Sequence, residues 1–390
     1  MAEGSGEILE RDGQFIACDL YQLPRLLGRA CIKKPMVVVD TGALRAAELE
    51  GALVSLLAGF SPVFFDRFTP NPTSDDAAQA ALEAASGGCD GVVAIGGGSA
   101  CDVAKVVALS CAQPPLIRNL SRGVGLENAQ PVPLIAVPTT SGTGSEATHF
   151  AAIYVDGKKV SVAHPELKPL AVVLDERFHT VMPATIAACS GLDALCQAIE
   201  SMWAVSSTER SLEYARLALG LIAEHLIPSV VEADSTSRRM MLVGAHLAGH
   251  AINISKTTAA HALSYQLTQH YGIAHGHAVA LTIGEISRWN AGVTSSDCLD
   301  ERGPEWVTSR VDEACSYLGI HADDVTCYFK GLLGSLGLEP SLGAFETTGK
   351  LLANFAETID PVRVANNPRR LDADSTLGLL RRAASEVEFV

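Results

Sequence analysis

The chain has 390 residues, a mass of 40.9 kDa and a formal net charge of −15, with a pI near 5.2. This acidity argues against nucleic acid and anionic membranes as main partners, because both require a cationic face. A small pocket can still be locally positive, since charges on the surface are screened. With 48% hydrophobic and 19% charged residues the chain is globular, and its length exceeds what one core supports, so we expect two domains.

The first half alternates short apolar runs with helical stretches up to about residue 180. The predicted strands are residues 36–39, 63–65, 92–95, 134–137 and 172–174, and the predicted helices are residues 74–85 and 99–110. Such alternation indicates a mostly parallel sheet, because parallel strands need crossover connections that are usually helical. The pattern therefore predicts an α/β domain over residues 1–180.

Asp40 directly follows the first of these strands. A carboxylate in this position can accept hydrogen bonds from an adenosine ribose and repels a 2′-phosphate. This favours NAD(H) over NADP(H) as the cofactor, with NADP(H) as the alternative.

The strand at 92–95 runs into Gly96-Gly97-Gly98-Ser99. Glycines lack Cβ atoms, so the backbone can approach a phosphate, and a helix beginning near Ser99 directs its free N–H groups at it. A glycine triplet also occurs in ordinary turns. The segment therefore predicts a pyrophosphate site, with a simple turn as the alternative.

The strand at 134–137 leads into residues 139–146, Thr-Thr-Ser-Gly-Thr-Gly-Ser-Glu. Hydroxyl and backbone groups at the carboxyl end of a parallel strand can donate hydrogen bonds to a ligand. A polar connecting loop is the alternative. Together with the glycine segment, this loop makes residues 1–180 a candidate dinucleotide-binding domain.

The second half changes character from Pro183 onward. The predicted helices are residues 207–223, 237–252, 258–268, 310–318 and 374–384, and β-branched runs are few. This pattern predicts an all-helical domain over residues 181–390, with the boundary between about 175 and 183.

Asp193, Gln197, His261 and His275 are candidate ligands of one divalent metal ion. Asp193 and Gln197 stand four residues apart and share a helix face. His261 lies in a second helix, and a Tyr-Gly break lets the chain return with His275. One carboxylate, one amide oxygen and two imidazoles suit Fe(II) or Zn(II) and are poor for calcium. The alternatives are a core histidine at 261 and a helix cap at 193.

Residues 253–258, Asn-Ile-Ser-Lys-Thr-Thr, stand directly before the helix of His261. The Ser255 and Thr257 hydroxyls, the Lys256 cation and the helix start can hold an anionic tail near the metal. A helix cap with an exposed lysine is the alternative. Further candidates for binding the anionic tail are His149, Arg118 and Arg288.

Segments 96–105, 138–146, 191–200 and 261–277 resemble those of the iron-containing, or type III, alcohol dehydrogenase family in order and rough spacing, and residues 367–369, Asn-Pro-Arg, resemble its closing motif. The similarity covers about residues 15 to 385. It implies a dehydroquinate synthase-like fold, with an α/β N-terminal dinucleotide-binding domain and an all-α C-terminal metal-binding domain. It also implies that the metal ligands are Asp193, Gln197, His261 and His275, and that the cofactor-binding residues are Asp40, Gly97, Gly98, Ser99, Asp102, Thr139, Thr140, Thr143 and Lys159.

Two positions depart from the family pattern. The position of Gln197 is usually histidine, and an amide oxygen is a weaker donor than imidazole, so we expect lower metal affinity. Tyr265 stands where many relatives carry a histidine that serves as a proton relay, and a phenol with a pKa near 10 relays less readily at neutral pH. His277 can take over this role, so Tyr265 and His277 are the candidate catalytic residues. The alternatives are that Tyr265 lines the pocket and that His277 orients a metal ligand.

The segment at 253–261 resembles the phosphonoacetaldehyde reductase branch, which reduces phosphonoacetaldehyde to 2-hydroxyethylphosphonate in phosphonate biosynthesis. The implied activity is metal-dependent hydride transfer from NAD(P)H to a small anionic aldehyde, by a protein that we expect to be a homodimer. The alternatives are a general short-chain alcohol dehydrogenase or lactaldehyde reductase, an NAD-using lyase on the same scaffold, and a nucleotide-binding protein without metal.

The ten cysteines include no Cys-x-x-Cys pair, which is typical of reduced cytosolic thiols. The sequence opens without a basic and apolar signal segment, and no apolar run approaches the roughly 20 residues that span a bilayer. We therefore expect a cytoplasmic protein that does not bind membranes.

Overall fold

The computed structural model describes residues 7–111, 129–345, 349–359 and 361–385. The chain divides into two compact units, Met1–Met182 and Pro183–Val390. This division lies beside the boundary predicted between residues 175 and 183.

The first unit alternates strands and helices along the chain. Its strands are β1 (Leu9–Arg11), β2 (Gln14–Ala17), β3 (Pro35–Val39), β4 (Val63–Phe65), β5 (Gly91–Gly96), β6 (Leu134–Pro138), β7 (Phe150–Val155), β8 (Lys158–Ala163) and β9 (Ala171–Val173). Its helices are α1 (Leu23–Arg29), α2 (Thr41–Ala46), α3 (Glu50–Leu56), α4 (Ser74–Gly87), α5 (Gly98–Ser110) and α6 (Glu176–Thr180).

Seven strands form one sheet in the order β1-β2-β9-β6-β5-β3-β4, and β7 pairs with β8 in a separate antiparallel hairpin. Every neighbouring pair in the large sheet is parallel except β1 with β2. The sheet is therefore mostly parallel, as predicted.

The apolar strands are buried on both faces. In β3, Val37 and Val39 pack with leucines of α1 and α3 on one face, whereas Met36 and Val38 pack with α4 and α5 on the other. Successive side chains of a strand point to opposite faces, so a fully buried parallel strand is apolar throughout. This arrangement makes three layers, with helices on both sides of the sheet.

The second unit is helical in its described part. Its helices are α7 (Ala184–Trp203), α8 (Glu209–Ile227), α9 (Ser235–Ser255), α10 (Ala259–Tyr271), α11 (His275–Ala291), α12 (Pro304–Tyr317), α13 (Val325–Ser335), α14 (Gly349–Thr358), α15 (Pro361–Val364) and α16 (Ala373–Ala384). A single π-helical stretch, Pro228–Glu232, extends α8. The predicted all-helical C-terminal part is confirmed.

Within the described residues, one helical stretch, Glu209–Glu232, is long and apolar enough to cross a membrane by length and composition alone. Its buried side chains include Leu212, Leu219 and Ile222, and it packs against α7 and α9. These contacts are those of a core helix.

Candidate metal centre and cofactor site

Three loops of the first unit meet where the parallel strands β3, β5 and β6 end. The Asp40 N–H donates to the Ile95 carbonyl at 2.8 Å, and the Thr139 N–H donates to the Gly96 carbonyl at 3.1 Å. Ligands of open α/β sheets bind at this edge. The structure therefore brings Asp40, the glycine segment and Thr139 together.

The glycines allow the loop after β6 to lie against the start of α5. A Cβ atom on Gly97 would lie 3.1 Å from Thr140 Cγ2, and one on Gly98 would lie 2.7 Å from Thr143 Cγ2. Gly97 is the N-cap of α5, so Gly98 and Ser99 present first-turn N–H groups at the same edge. A helix N-terminus of this kind attracts phosphate, and the donors fit a pyrophosphate.

The Asp40 carboxylate is oriented by its own helix. Its Oδ1 atom accepts the Ala43 N–H at 3.1 Å and caps α2. The side chain is partly exposed, so a ribose hydroxyl has access to this carboxylate.

Asp102 lies one turn into α5 and belongs to a buried polar cluster. The Ser145 hydroxyl donates to its Oδ1 at 3.0 Å. Burial raises the pKa of the Asp102 carboxyl, and the positive charges of Lys105 and Lys159 oppose that rise. Lys159, on β8, is therefore close enough to Asp102 to act on it electrostatically.

Lys105 is a residue of this cluster that the sequence interpretation missed. It is fully buried, and its Nζ donates to Thr148 Oγ1 at 2.8 Å and to the Phe150 carbonyl at 2.6 Å. Burial lowers its pKa to about 8, although Asp102 favours the charged form. Lys105 thus ties α5 to the segment that leads into β7.

His179 was also missed, and it fixes the loop after β6. Its Nε2 lies 3.2 Å from the Pro138 carbonyl oxygen, and its Nδ1 lies 2.8 Å from the Ser141 hydroxyl. Because a carbonyl only accepts, Nε2 carries the proton and Nδ1 accepts from Ser141. No local motif marks His179, since its partners lie about forty residues away.

In the second unit, α7, α10 and α11 bring three of the predicted metal ligands together. His261 Nε2 lies 3.2 Å from Asp193 Oδ1, and His275 Nε2 lies 3.9 Å from the same oxygen. Ligating atoms of the three side chains lie within 4.8 Å of one another. Gln197 follows Asp193 by one turn of α7 and is buried.

Gly276 makes the approach of α11 to α7 possible. A Cβ atom at this position would lie 1.9 Å from the Cys189 carbonyl oxygen and 2.8 Å from the Asp193 nitrogen. The neighbouring His275 is the first residue of α11, so this contact sets its imidazole beside Asp193.

Glu200 orients His261 and was not predicted as a site residue. Its Oε1 accepts the Thr258 hydroxyl and the Ala260 N–H, and its Oε2 accepts from His261 Nδ1. The lone pair of His261 Nε2 can then face the other ligands. Burial disfavours the imidazolium, but Glu200 and Asp193 outweigh it and raise the pKa of His261 to about 10. His261 Nε2 would be available to a divalent ion only in its unprotonated form, so we expect metal affinity to rise with pH.

Ser264 orients the second imidazole in the same way. Its hydroxyl donates to the His261 carbonyl at 2.7 Å and lies 3.2 Å from His275 Nδ1. Since the hydroxyl proton is already used, His275 Nδ1 is the donor and Nε2 faces Asp193. One carboxylate and two oriented imidazoles fit a divalent ion of the Fe(II) or Zn(II) kind.

The two candidate catalytic residues lie in different surroundings. The Tyr265 ring is parallel to that of His275, with centroids 5.5 Å apart. His277 is two residues beyond His275 on α11, on another face of the helix. It is buried, its Nε2 donates to the Glu339 carbonyl at 2.8 Å, and burial lowers its pKa.

The predicted substrate segment is only partly open to a ligand. The Ser255 hydroxyl is fully buried and bonds Ser201 Oγ at 2.9 Å, so it serves the protein interior. Lys256 is exposed and Thr257 is half-buried.

The three further candidates for substrate binding belong to different parts of the chain. His149 belongs to the first unit, where its ring lies edge-on to Phe150. Arg288 is exposed in the last turn of α11, at the end opposite to His275, and the structure therefore does not bring it to the metal ligands. Arg118 lies outside the described residues.

Comparison with known proteins decides the family. The model of iron-containing alcohol dehydrogenases matches residues 15–176, and the model of the C-terminal part of that family matches residues 187–384. The chain belongs to the iron-containing alcohol dehydrogenase family. It is accordingly an NAD-dependent alcohol dehydrogenase or aldehyde reductase, and the family implies NAD(H) and a divalent metal. The predicted family, fold and enzyme class are confirmed.

Individual relatives of this dehydrogenase span most of its length. A phosphonoacetaldehyde reductase of Streptomyces viridochromogenes is 35% identical over 325 residues, 81% of each chain. A probable alcohol dehydrogenase of Escherichia coli is 28% identical over 358 residues, 90% of this chain and 88% of the relative. The solved structure of a sulfoacetaldehyde reductase from Bifidobacterium kashiwanohense in complex with NAD+ covers 98% of this chain and 100% of its own, with 26% identity and a TM-score of 0.86.

Proposed function

We propose that the protein reduces phosphonoacetaldehyde to 2-hydroxyethylphosphonate, with NADH as hydride donor and one divalent ion, Fe(II) or Zn(II), as the metal. The observation that carries the proposal is the cluster of Asp193, His261 and His275, whose ligating atoms lie within 4.8 Å of one another. The phosphonate substrate is supported by the 35% identity to a phosphonoacetaldehyde reductase.

Asp193, Gln197, His261 and His275 would hold the metal. When bound there, the ion supplies Lewis-acid polarisation of the aldehyde carbonyl, which promotes hydride transfer from the nicotinamide. The Asp193 carboxylate contributes one negative charge, and Glu200 and Ser264 keep the two imidazoles in a ligating orientation.

The loops of the first unit would hold the cofactor. Gly97, Gly98 and Ser99 offer backbone groups to the pyrophosphate, and Thr139, Thr140 and Thr143 line the same edge. Asp40 would accept from the adenosine ribose and repel a 2′-phosphate, which favours NAD(H) over NADP(H). Asp102 and Lys159 would lie near the cofactor in the adjoining cluster, where the positive charge of Lys159 acts on the Asp102 carboxyl and lowers its pKa.

Reduction of an aldehyde leaves an alkoxide that needs one proton. We assign the relay to Tyr265, because its ring packs on the metal ligand His275. The other candidate, His277, is engaged with the Glu339 carbonyl, which argues against a role for it in proton transfer.

Reduction of sulfoacetaldehyde is a second candidate, because the sulfoacetaldehyde reductase structure superposes on nearly the whole chain. Both substrates are two-carbon aldehydes with an anionic group. We further propose that the enzyme works in the cytoplasm as a homodimer and binds neither nucleic acid nor membranes.

The test is to follow NADH and NADPH absorbance with the metal-loaded enzyme and four aldehydes: phosphonoacetaldehyde, sulfoacetaldehyde, lactaldehyde and propanal. The proposal expects the highest kcat/KM for phosphonoacetaldehyde with NADH. Equal kcat/KM values for all four would favour a general alcohol dehydrogenase. A lyase would leave the NADH absorbance unchanged with every aldehyde.

A further inference from the structure

A line of hydrogen bonds runs from the indole of Trp203 to the metal ligand His261. Trp203 Nε1 donates to Thr258 Oγ1 at 3.2 Å, and the Thr258 hydroxyl donates to Glu200 Oε1 at 2.5 Å. Glu200 Oε2 in turn accepts from His261 Nδ1. On the other side of the imidazole, His261 Nε2 lies 3.2 Å from Asp193 Oδ1. Consecutive hydrogen bonds therefore join the indole to the metal ligands.

The chemistry of these groups fixes the direction of each bond. An indole N–H only donates, so the Thr258 oxygen accepts from Trp203. A threonine hydroxyl has a single proton, which is then directed to Glu200. An ionised carboxylate only accepts, so His261 carries a proton on Nδ1 and can present Nε2 to a metal ion. Trp203 thus determines which way the Thr258 hydroxyl points.

The whole line is shielded from water. Trp203 and Glu200 are fully buried, and only 1% of Thr258 and 3% of His261 is exposed. A buried polar group that loses its partner pays its full desolvation cost, because water does not replace the partner. Each donor in the line therefore matters for the orientation of the group that accepts from it.

The ends of two helices hold the line together. Glu200 and Trp203 stand three residues apart near the end of α7 and therefore share a helix face. Thr258 is the N-cap residue of α10. An N-cap side chain usually accepts an N–H of its own first turn, but here the Ala260 N–H donates to Glu200 Oε1 at 2.9 Å. Glu200 thus caps α10 in place of Thr258, and the threonine hydroxyl is used to hold Glu200.

We propose that Trp203 and Thr258 are positioning residues of the metal site, which hold Glu200 in the orientation that makes His261 a metal ligand. Without the Thr258 hydroxyl, Glu200 Oε1 keeps only the Ala260 N–H, and the carboxylate is free to turn away from His261. This inference rests on the metal site of the proposed function and extends it from the ligands to the side chains that orient them.

A purely structural role for Trp203 would be to fill the core beside α7. That role predicts that Trp203→Phe lowers the free energy of unfolding and leaves the zinc affinity of the folded protein unchanged. The positioning role predicts a lower zinc affinity of the folded protein. Measuring both quantities on the same variants therefore separates the two roles.

The test measures the zinc dissociation constant of the full chain by competition with a chelating dye, and urea unfolding of the same proteins. Thr258→Val should weaken zinc binding about 10- to 100-fold. Trp203→Phe removes one N–H and keeps an aromatic ring, so it should weaken zinc binding about 2- to 10-fold. Thr258→Ser keeps the hydroxyl and should stay within about 2-fold of wild type. Trp289→Phe, the matched control, makes the same change near the far end of α11 and should bind zinc like wild type.

The double variant shows whether the two side chains act through one line. In the Thr258→Val background, Trp203→Phe should change zinc affinity by less than about 2-fold, because its partner is already gone. If Thr258→Val does not fold, Trp203→Phe and Thr258→Ser still decide the matter. Wild-type zinc affinity of Trp203→Phe, or fully additive losses in the double variant, would overturn the proposal.

The proposed function can fail separately. If zinc binding weakens in the variants as stated, but the zinc-loaded wild type does not oxidise NADH with phosphonoacetaldehyde, the positioning role stands and the proposed substrate is wrong. If wild type binds no zinc, the positioning role and the metal centre fall together.

Discussion

Replacing Lys256 by glycine should stabilise the protein and weaken its recognition of anionic aldehydes at the same time. The backbone at this position has φ 57° and ψ 179°. Relief of this strain should contribute about 1–3 kcal/mol, and the extra freedom that glycine gives the unfolded chain should cost about 0.4–1 kcal/mol. The free energy of unfolding should therefore increase by about 1 kcal/mol, which corresponds to a rise in Tm of about 2–4 °C for a unit of this size.

Lys256→Ala is the matched control for this prediction, since it removes the same charge but keeps the Cβ atom. Thermal and urea unfolding of the three proteins should rank glycine above both wild type and alanine. Both variants should raise KM for phosphonoacetaldehyde and leave that for propanal nearly unchanged. If the glycine variant unfolds earlier than the alanine variant, the strain argument is wrong. If KM stays constant in both, the lysine does not touch the substrate.

Three further substitutions test the metal and cofactor assignments. Gln197→His should bind the metal at least as tightly, because imidazole is the stronger donor for Fe(II) and Zn(II); weaker retention in competition with a chelating dye would show that the site is shaped around the amide. Glu200→Gln should lower metal affinity about 10- to 100-fold by releasing His261, and unchanged zinc affinity would remove Glu200 from its positioning role. Asp40→Gly should shift the ratio of NADH to NADPH activity toward NADPH, with only a few tenths of a kcal/mol lost from the α2 cap; an unchanged ratio would mean that another residue contacts the ribose.

The strands that could be predicted are those that local sequence marks with a run of apolar residues. The strands β3, β5 and β6 are buried on both faces and therefore read as continuous apolar runs. The strands β1 and β8 carry exposed and charged residues, and no such run marks them. Their positions depend on pairing with distant segments, which single-sequence patterns do not reveal.

The candidate site shows the same limit. Asp193 and Gln197 could be paired from helix periodicity, and the return of His275 from the Tyr-Gly break. Glu200 lies at the end of the segment 191–200, but its partner His261 is 61 residues away, so its orienting role becomes visible only in the folded structure.

Proximity in the sequence also suggested a site residue that the fold directs elsewhere. His277 looked close to the ligands because it follows His275 by two residues, yet two residues of helix rotate a side chain by about 200°.

The most direct test of the account is metal analysis of the purified enzyme combined with NADH oxidation in the presence of phosphonoacetaldehyde, before and after exhaustive chelation. We expect about one ion per chain, loss of activity on chelation, recovery with Fe(II) or Zn(II), and neither metal nor activity in His261→Ala. Undiminished turnover by the metal-free protein would contradict the proposed metal centre and the chemistry derived from it.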